Sequence, residues 1–298
     1  MTRAGVEISN PDKALFPDGL TKADLARYYE RIAETMLPHV RGRPVHMQRF
    51  PDGIRGNEIQ QKHAPDYFPD FVKRARVKRK RGGSVDHVVI ENEETLVYLA
   101  DQACITPHVW LSRIDKVDNP DQVIFDLDPP GPDLEPVRAA ARALKELLEE
   151  LGLAAYLKAT GSRGLHVVAP LDRRANFDET RAFARELAAL LAEREPKRFT
   201  VEQRKEKRRR RLYLDTARNA YAQTAVAPYA VRALPGAPIA CPLEWRELGR
   251  VEPRQFTVRN IARRLARKDD PWAEIRRDAR SLHQPQRRLA ELTNGASD

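Results

Sequence analysis

Apolar residues recur at helical spacing in four stretches of this 298-residue chain. Leu25, Tyr28, Tyr29, Ile32 and Met36 form the first stripe, with Thr21 as its N-cap and Asp24 three residues on as the acid of a capping box. Pro38 is expected to end that helix. Leu96, Leu99, Ala100 and Ala103 mark a second helix within 91–104, with His108 and Trp110 following near a turn. Val137, Ala140, Leu144, Leu147, Leu148 and Leu151 share one face of a third, capped by Asp133 and closed by Gly152. Phe183, Leu187 and Leu190 line the buried side of a fourth over 177–193. Between them lie short runs rich in β-branched and aromatic residues, which predict strands at 43–53, 123–125, 154–158, 165–169 and 212–214. Residues 225–232 read as extended and the proline-rich 234–243 as surface chain. Residues 257–268 predict a short basic helix, and from Ser281 the polar sequence predicts a helical or disordered tail. No repeat and no long linker interrupts the pattern, so the expectation is one catalytic domain over 1–298. It divides into lobes near 1–115 and 116–270 with a tail at 271–298.

The strand at 123–125 carries the most pointed chemistry. It runs into Asp126 and Asp128 and stops before Pro129, which cannot donate to a ladder. Residues two apart on a strand face the same side. Two carboxylates held side by side repel unless a cation lies between them, and oxygen donors of this kind suit Mg²⁺ or Mn²⁺. The plainer reading is a strand end with two solvated aspartates. A similar design recurs at 212–214, where an apolar run ends in Asp215; its plainer reading is a salt bridge to a neighbouring arginine. Between the two, Gly161 and Gly164 bracket Ser162 and Arg163, a spacing that allows a nest of inward amides for an anion, with His166 opening the next strand. With an arginine in that loop and a carboxylate pair one helix earlier, the turn reads as a triphosphate site. Lys22 lies in the first turn of its helix, where a cation opposes the dipole. It is either solvated there or, with Lys13 and the free helix amides, part of an anion site. His108, beside a proline, is on its own more often structural.

Charge sharpens the picture. The formal net charge is +10, with 32% charged residues, which points to a polyanionic partner and first to nucleic acid. An arginine-rich surface from a GC-rich or heat-adapted source is the alternative. The segment 73–81 is rich in lysine and arginine, and seven of nine residues in 203–211 are basic, leading directly into the strand before Asp215. Cys104 and Cys241 are the only cysteines, so neither a disulfide framework nor a cysteine zinc site is indicated. Residues 1–12 lack an apolar signal core, and no run approaches the roughly 20 apolar residues of a membrane span. A cytoplasmic protein is expected.

These residues resemble a known family. Asn-Pro-Asp-Lys at 10–13, Leu-Thr-Lys at 20–22, Leu-Pro-His-Val-Arg-Gly-Arg-Pro at 37–44, Phe-Asp-Leu-Asp-Pro at 125–129, Gly-Ser-Arg-Gly-Leu-His at 161–166, Leu-Asp at 214–215 and Ala-Pro-Tyr at 227–229 are similar to the polymerase domain of bacterial DNA ligase D, in the archaeo-eukaryotic primase superfamily. The resemblance runs from residue 10 to about 264. It implies an α/β (α+β) two-lobed primase-type core with largely antiparallel sheets and one lobe like an RNA-recognition motif. It implies a nucleotidyltransferase that fills gaps and extends DNA ends in non-homologous end joining, preferring ribonucleotides and using two divalent ions, Mn²⁺ or Mg²⁺. By the same resemblance Asp126, Asp128 and Asp215 bind the metals, and Ser162, Arg163 and His166 line the triphosphate. His108, Arg208 and Arg232 add nucleotide contacts, and Asn10, Lys13 and Lys22 grip a DNA 5′-phosphate. Nucleoside triphosphates, broken DNA, Ku and ligase or nuclease modules are the implied partners. Two positions depart from the pattern. Ile59 and Gln60 stand where paired aromatics often precede a lysine matching Lys62, and Arg163 replaces a lysine, offering a two-pronged grip on phosphate. The competing expectations are a de novo primase of the same superfamily, a glycosyltransferase with its own metal-binding Asp-x-Asp, and a non-catalytic DNA-end scaffold.

Overall fold

The computed structural model describes residues 1–294. They gather into two compact units, each assembled from separate stretches of chain. Residues 1–117, 224–241 and 254–270 form the first, and 118–223, 242–253 and the chain from 271 form the second.

In the first unit, a hairpin of β1 (Thr2–Arg3) and β2 (Val6–Glu7) precedes helix α1 (Lys22–Val40). The capping box forms as expected. The Asp24 amide donates to Thr21 Oγ1 at 3.2 Å and the Thr21 amide to the Asp24 carboxylate at 3.0 Å. Pro38 does not end the helix but sits inside its last turn. A proline there removes a single ladder bond, and the chain still closes through the Arg41 amide on the Leu37 carbonyl at 2.9 Å. The chain continues through β3 (Val45–Arg49), β4 (Ile59–Gln61), a basic hairpin of β5 (Arg74–Lys78) and β6 (Ser84–Val88), α2 (Glu93–Asp101) and β7 (Cys104–Trp110). His108 and Trp110 therefore lie in a strand rather than near a turn. The sheet order is Thr224–Val226, β7, β3, β4, with the paired strands antiparallel. Pro107 is tolerated inside β7 because the neighbouring strand ends at Val226, opposite His108. Leu25, Tyr29, Met36, Val45, Met47, Leu96 and Ile105 are fully buried between α1, α2 and this sheet, each contributing roughly 1.5–3 kcal/mol by leaving water.

The second unit is built on β8 (Gln122–Leu127), α3 (Glu135–Glu150), β9 (Tyr156–Ala159), β10 (Leu165–Pro170), α4 (Phe177–Arg194) and the parallel pair β11 (Phe199–Thr200) and β12 (Leu212–Tyr213). Its main sheet runs Cys241–Leu243, β9, β10, β8, with β10 antiparallel to both neighbours. Asp133 caps α3 from one residue further out than expected, its carboxylate accepting from the Glu135 amide at 2.9 Å. The expected basic helix over 257–268 shortens to Ile261–Leu265, and the tail becomes the helix His283–Asn294, which packs on α4 through buried Pro285 and Leu289. Residues 295–298 lie outside the described residues. Cys104 and Cys241 are buried free thiols. No helix among the described residues is long and apolar enough to cross a membrane.

Candidate active site

Four side chains form a row across the second unit's sheet. On β8, Asp126 stands opposite His166 of β10, and His166 stands opposite Lys158 of β9. On its other flank Asp126 is bridged to Asp215. The Asp126 amide donates to the Asp215 carbonyl at 2.9 Å and the reverse bond spans 3.4 Å. Directly opposed residues of an antiparallel pair share a face. Two carboxylates 89 positions apart in the chain are thereby set side by side. Asp128 follows at the exit of β8.

Each carboxylate already has a partner. Asp126 Oδ1 lies 3.4 Å from His166 Nε2, and its Oδ2 accepts from Arg218 Nε at 3.3 Å. Asp128 Oδ2 accepts from the exposed Arg163 guanidinium at 3.3 Å. Asp215 Oδ1 accepts from the Ala217 amide at 2.7 Å. Burial would push the Asp126 carboxyl up, but the His166 ring and the Arg218 guanidinium outweigh it and hold Asp126 well below the usual carboxylate range. Burial raises Asp215; the Ala217 amide opposes that rise and the charge of Asp126 adds to it. His166 is lowered, first by burial and then by the cations Lys158 and Arg218, against the pull of Asp126. The imidazole is therefore neutral near pH 7. Its buried Nδ1 has no hydrogen-bond partner.

Asn219, which the sequence did not single out, and Gly164, which it read only as part of an anion nest, hold this geometry. Asn219 is fully buried. Its side chain accepts from the Ile124 amide at 2.8 Å and donates to the Ile124 carbonyl at 2.7 Å and the Thr216 carbonyl at 3.0 Å. It locks the loop after Asp215 onto β8. Gly164 lies against the exit of β8, where a Cβ would come 2.0 Å from the Leu127 carbonyl oxygen and 2.7 Å from Asp128 Oδ1. Arg218 and Lys158 give no local signal in the sequence either. One is an isolated arginine in a very basic chain, and the other is a strand lysine that is 1% exposed.

The loop between β9 and β10 departs from the nest expected of it. The Ser162 and Gly164 amides both turn inward onto Thr160 Oγ1, each at 3.3 Å, and Thr160 closes the loop onto the Gly164 carbonyl. Those amides are committed to the turn, which leaves the Arg163 side chain, 62% exposed, as the loop's prominent anion donor. Arg208 stacks on Tyr213, 4.2 Å from guanidinium to ring centre, and donates to the carbonyls of Glu202 and Gln203 at 3.0 and 2.7 Å.

The remaining candidates belong to the first unit. His108 is half-buried on β7, opposite His46 with ring centres 6.4 Å apart. Arg232 follows Val231, whose carbonyl accepts from Thr106 Oγ1 at 2.7 Å. Asn10, at φ +46°, opens the turn in which the Lys13 amide bonds the Asn10 carbonyl and the Lys22 amide the Lys13 carbonyl. The three share one loop and helix start. The Lys13 ammonium is 40% exposed and pairs with Asp52 at 2.9 Å. Lys22 is not solvated: it is 7% exposed, with its ammonium 3.0 Å from Ser9 Oγ and 3.5 Å from Asp101 Oδ1. The buried carboxylate makes that burial possible.

The oxygen donors of Asp126, Asp128 and Asp215 are of the kind that holds a hard divalent cation, and Asp215 is raised first by burial and then, to a lesser extent, by the neighbouring Asp126 charge, which a cation would offset. In the rotamers present Asp126 and Asp128 serve arginines and Asp215 the Ala217 amide, and no three His, Cys, Asp or Glu side chains among the described residues converge as a chelating group.

The chain is similar to known proteins. The family model for the LigD primase-polymerase domain matches residues 21–272. The chain is 34% identical over 277 residues to the multifunctional non-homologous end joining protein LigD of Pseudomonas aeruginosa, covering 91% of this chain and 33% of that protein. It is 32% identical over 278 residues to the bifunctional LigD of Bacillus subtilis, covering 92% and 44%. The chain thus spans a third to under half the length of these relatives. A solved polymerase domain from Mycobacterium tuberculosis ligase D in complex with DNA superposes with a TM-score of 0.86 at 30% identity, covering 92% of this chain and 99% of that one. With the same mixed α/β, mostly antiparallel architecture, and with the match spanning nearly the whole chain, this protein belongs to the LigD primase-polymerase domain family, a family of metal-dependent nucleotidyltransferases.

Proposed function

We propose that this chain transfers nucleotides from nucleoside triphosphates, ribonucleotides by preference, onto the 3′ ends of broken or gapped DNA in bacterial end joining. In this reading Asp126, Asp128 and Asp215 hold two divalent ions, Mn²⁺ or Mg²⁺. The observation that carries it is the antiparallel bridge that puts Asp215 beside Asp126. The cations, when bound, supply charge neutralisation of the triphosphate and acidify the attacking hydroxyl.

The protein's own residues do the positioning. Arg163 and Arg218, on carboxylates across 3.3 Å, are the side chains that would take triphosphate oxygens, and Asp126 and Asp128 those that would hold the cations. Ser162, His166 and Arg208 complete the phosphate contacts, with neutral His166 able to donate to an oxygen as charge develops there. His108 and Arg232 supply further nucleotide contacts. Asn10, Lys13 and Lys22 form the 5′-phosphate grip. Lys13 leads it, because its cation reaches solvent while that of Lys22 is shared with Asp101. The end-joining partners Ku, ligase and nuclease modules belong to the same proposal, supported by the names of the relatives.

Asp126→Asn tests the reading in a gap-filling assay run with ribo- and deoxyribonucleotides and with Mn²⁺ and Mg²⁺. Incorporation should fall by roughly a hundred-fold or more while DNA affinity stays within about two-fold. Equal losses of both would mean that the residue is structural and would refute the assignment.

A further inference from the structure

The first unit exposes aromatic side chains that its own packing does not require to be exposed. Tyr67 is 64% exposed and Phe71 41%. They are seated edge-on. Tyr67 meets Phe68 at 5.2 Å between ring centres, and Phe68 and Phe71 both meet Tyr98, at 5.0 and 5.6 Å. The Tyr67 hydroxyl is pinned by Gln102 Oε1 at 3.3 Å and by the Arg49 guanidinium at 3.4 Å. Ile59, 43% exposed, stands opposite Arg49 on the neighbouring strand and extends the same apolar surface.

Cations interleave with these rings. Arg49 is held by the Gln102 carbonyl, Gln102 Oε1 and Gln61 Oε1. Arg74 is held by the carbonyls of Asp66 and Phe68, at 3.2 and 2.6 Å. Neither is paired with a carboxylate among the described residues. Neutral acceptors fix each guanidinium in place without a bonded carboxylate. A protein partner with an apolar face would have to desolvate both cations. An unpaired nucleotide chain satisfies both parts of the surface, since bases stack on rings and phosphates accept from guanidinium groups.

We propose that Tyr67 and Phe71 form a stacking platform for unpaired bases of the DNA, with Arg49 and Arg74 on the adjoining phosphates. The proposal rests on the polymerase reading for the identity of the nucleic acid, but it lies wholly within the first unit and uses none of the carboxylates.

The test measures fluorescence anisotropy of two labelled duplexes, one blunt and one with a single-stranded tail, and gap filling on untailed DNA in parallel. Tyr67→Ala should weaken tailed DNA by about ten-fold relative to blunt DNA, and Tyr67→Phe should not. A tail of abasic sites should bind wild-type protein as weakly as the normal tail binds Tyr67→Ala. Gap filling on untailed DNA at saturating DNA concentration should keep its maximal rate in both variants, because the platform acts on binding and not on the carboxylates, so loss of the polymerase reading and loss of the platform register separately. Equal effects on both duplexes, no effect on either, full binding of the abasic tail, or full binding by Tyr67→Leu would each overturn the platform.

Discussion

Gly164→Ala tests how the carboxylates are placed. A Cβ on residue 164 would meet the Leu127 carbonyl oxygen at 2.0 Å and Asp128 Oδ1 at 2.7 Å. Ordinary contact begins near 3.5 Å, so β8 and the β9–β10 loop must part by roughly 1.5 Å. The Asp128 carboxylate can rotate aside, but the Leu127 carbonyl, whose carbon also lies within 2.9 Å, is backbone between Asp126 and Asp128 and cannot. Overpacking of this size costs about 1–3 kcal/mol, which predicts an apparent melting temperature lower by several degrees. Displacing a catalytic group by about 1 Å costs on the order of a hundred-fold in rate, so nucleotide incorporation should fall far more than stability does. The control is Gly131→Ala, in the same stretch after Asp128, where an added Cβ meets nothing within 4 Å. It should leave both quantities unchanged. Melting and gap filling on the same preparations check the argument. If Gly164→Ala retains incorporation within about two-fold of wild type, close approach of the two strands does not set the carboxylate geometry.

Asn219→Ala leaves the buried amide and carbonyl of Ile124 unpaired, while the Thr216 carbonyl keeps the residue 219 backbone amide at 3.1 Å, and should cost about 2–3 kcal/mol in denaturant unfolding, with incorporation falling as the Asp215 loop loosens; a loss under about 1 kcal/mol would show that the loop is held by other contacts. Lys13→Ala should weaken binding to gapped DNA carrying a 5′-phosphate by about five- to ten-fold and barely change binding to the same DNA without it; uniform weakening of both would dismiss a phosphate-specific grip.

The elements are legible where pattern and local chemistry agree. The α1 stripe from Leu25 to Met36 with its Thr21–Asp24 cap, the α3 and α4 stripes and the strand before Asp126 can be read directly, because helix period, strand alternation and capping are all set within a few residues. Pro38 misleads, since a proline near a helix end is either a stop or a member of the last turn, and the residues beside it do not distinguish the two. His108 and Trp110 mislead because Pro107 argues against a strand; only the neighbouring strand, ending at Val226, makes it acceptable. The glycine loop is legible as a tight turn, but the direction of its amides is not. Nothing in the sequence marks Thr160 as the residue that collects them.

By itself the sequence determined the family, the residue types at the site and the basic character that suits nucleic acid, since motifs and charge are properties of composition and order. The tertiary structure alone decided that Asp215 lies beside Asp126, that Asn219 and Gly164 hold that arrangement, that Lys22 gives its charge to Asp101 and that Tyr67 and Phe71 face solvent together. Each of these depends on pairing between segments remote in the chain, and no local propensity encodes which strand a carboxylate will meet.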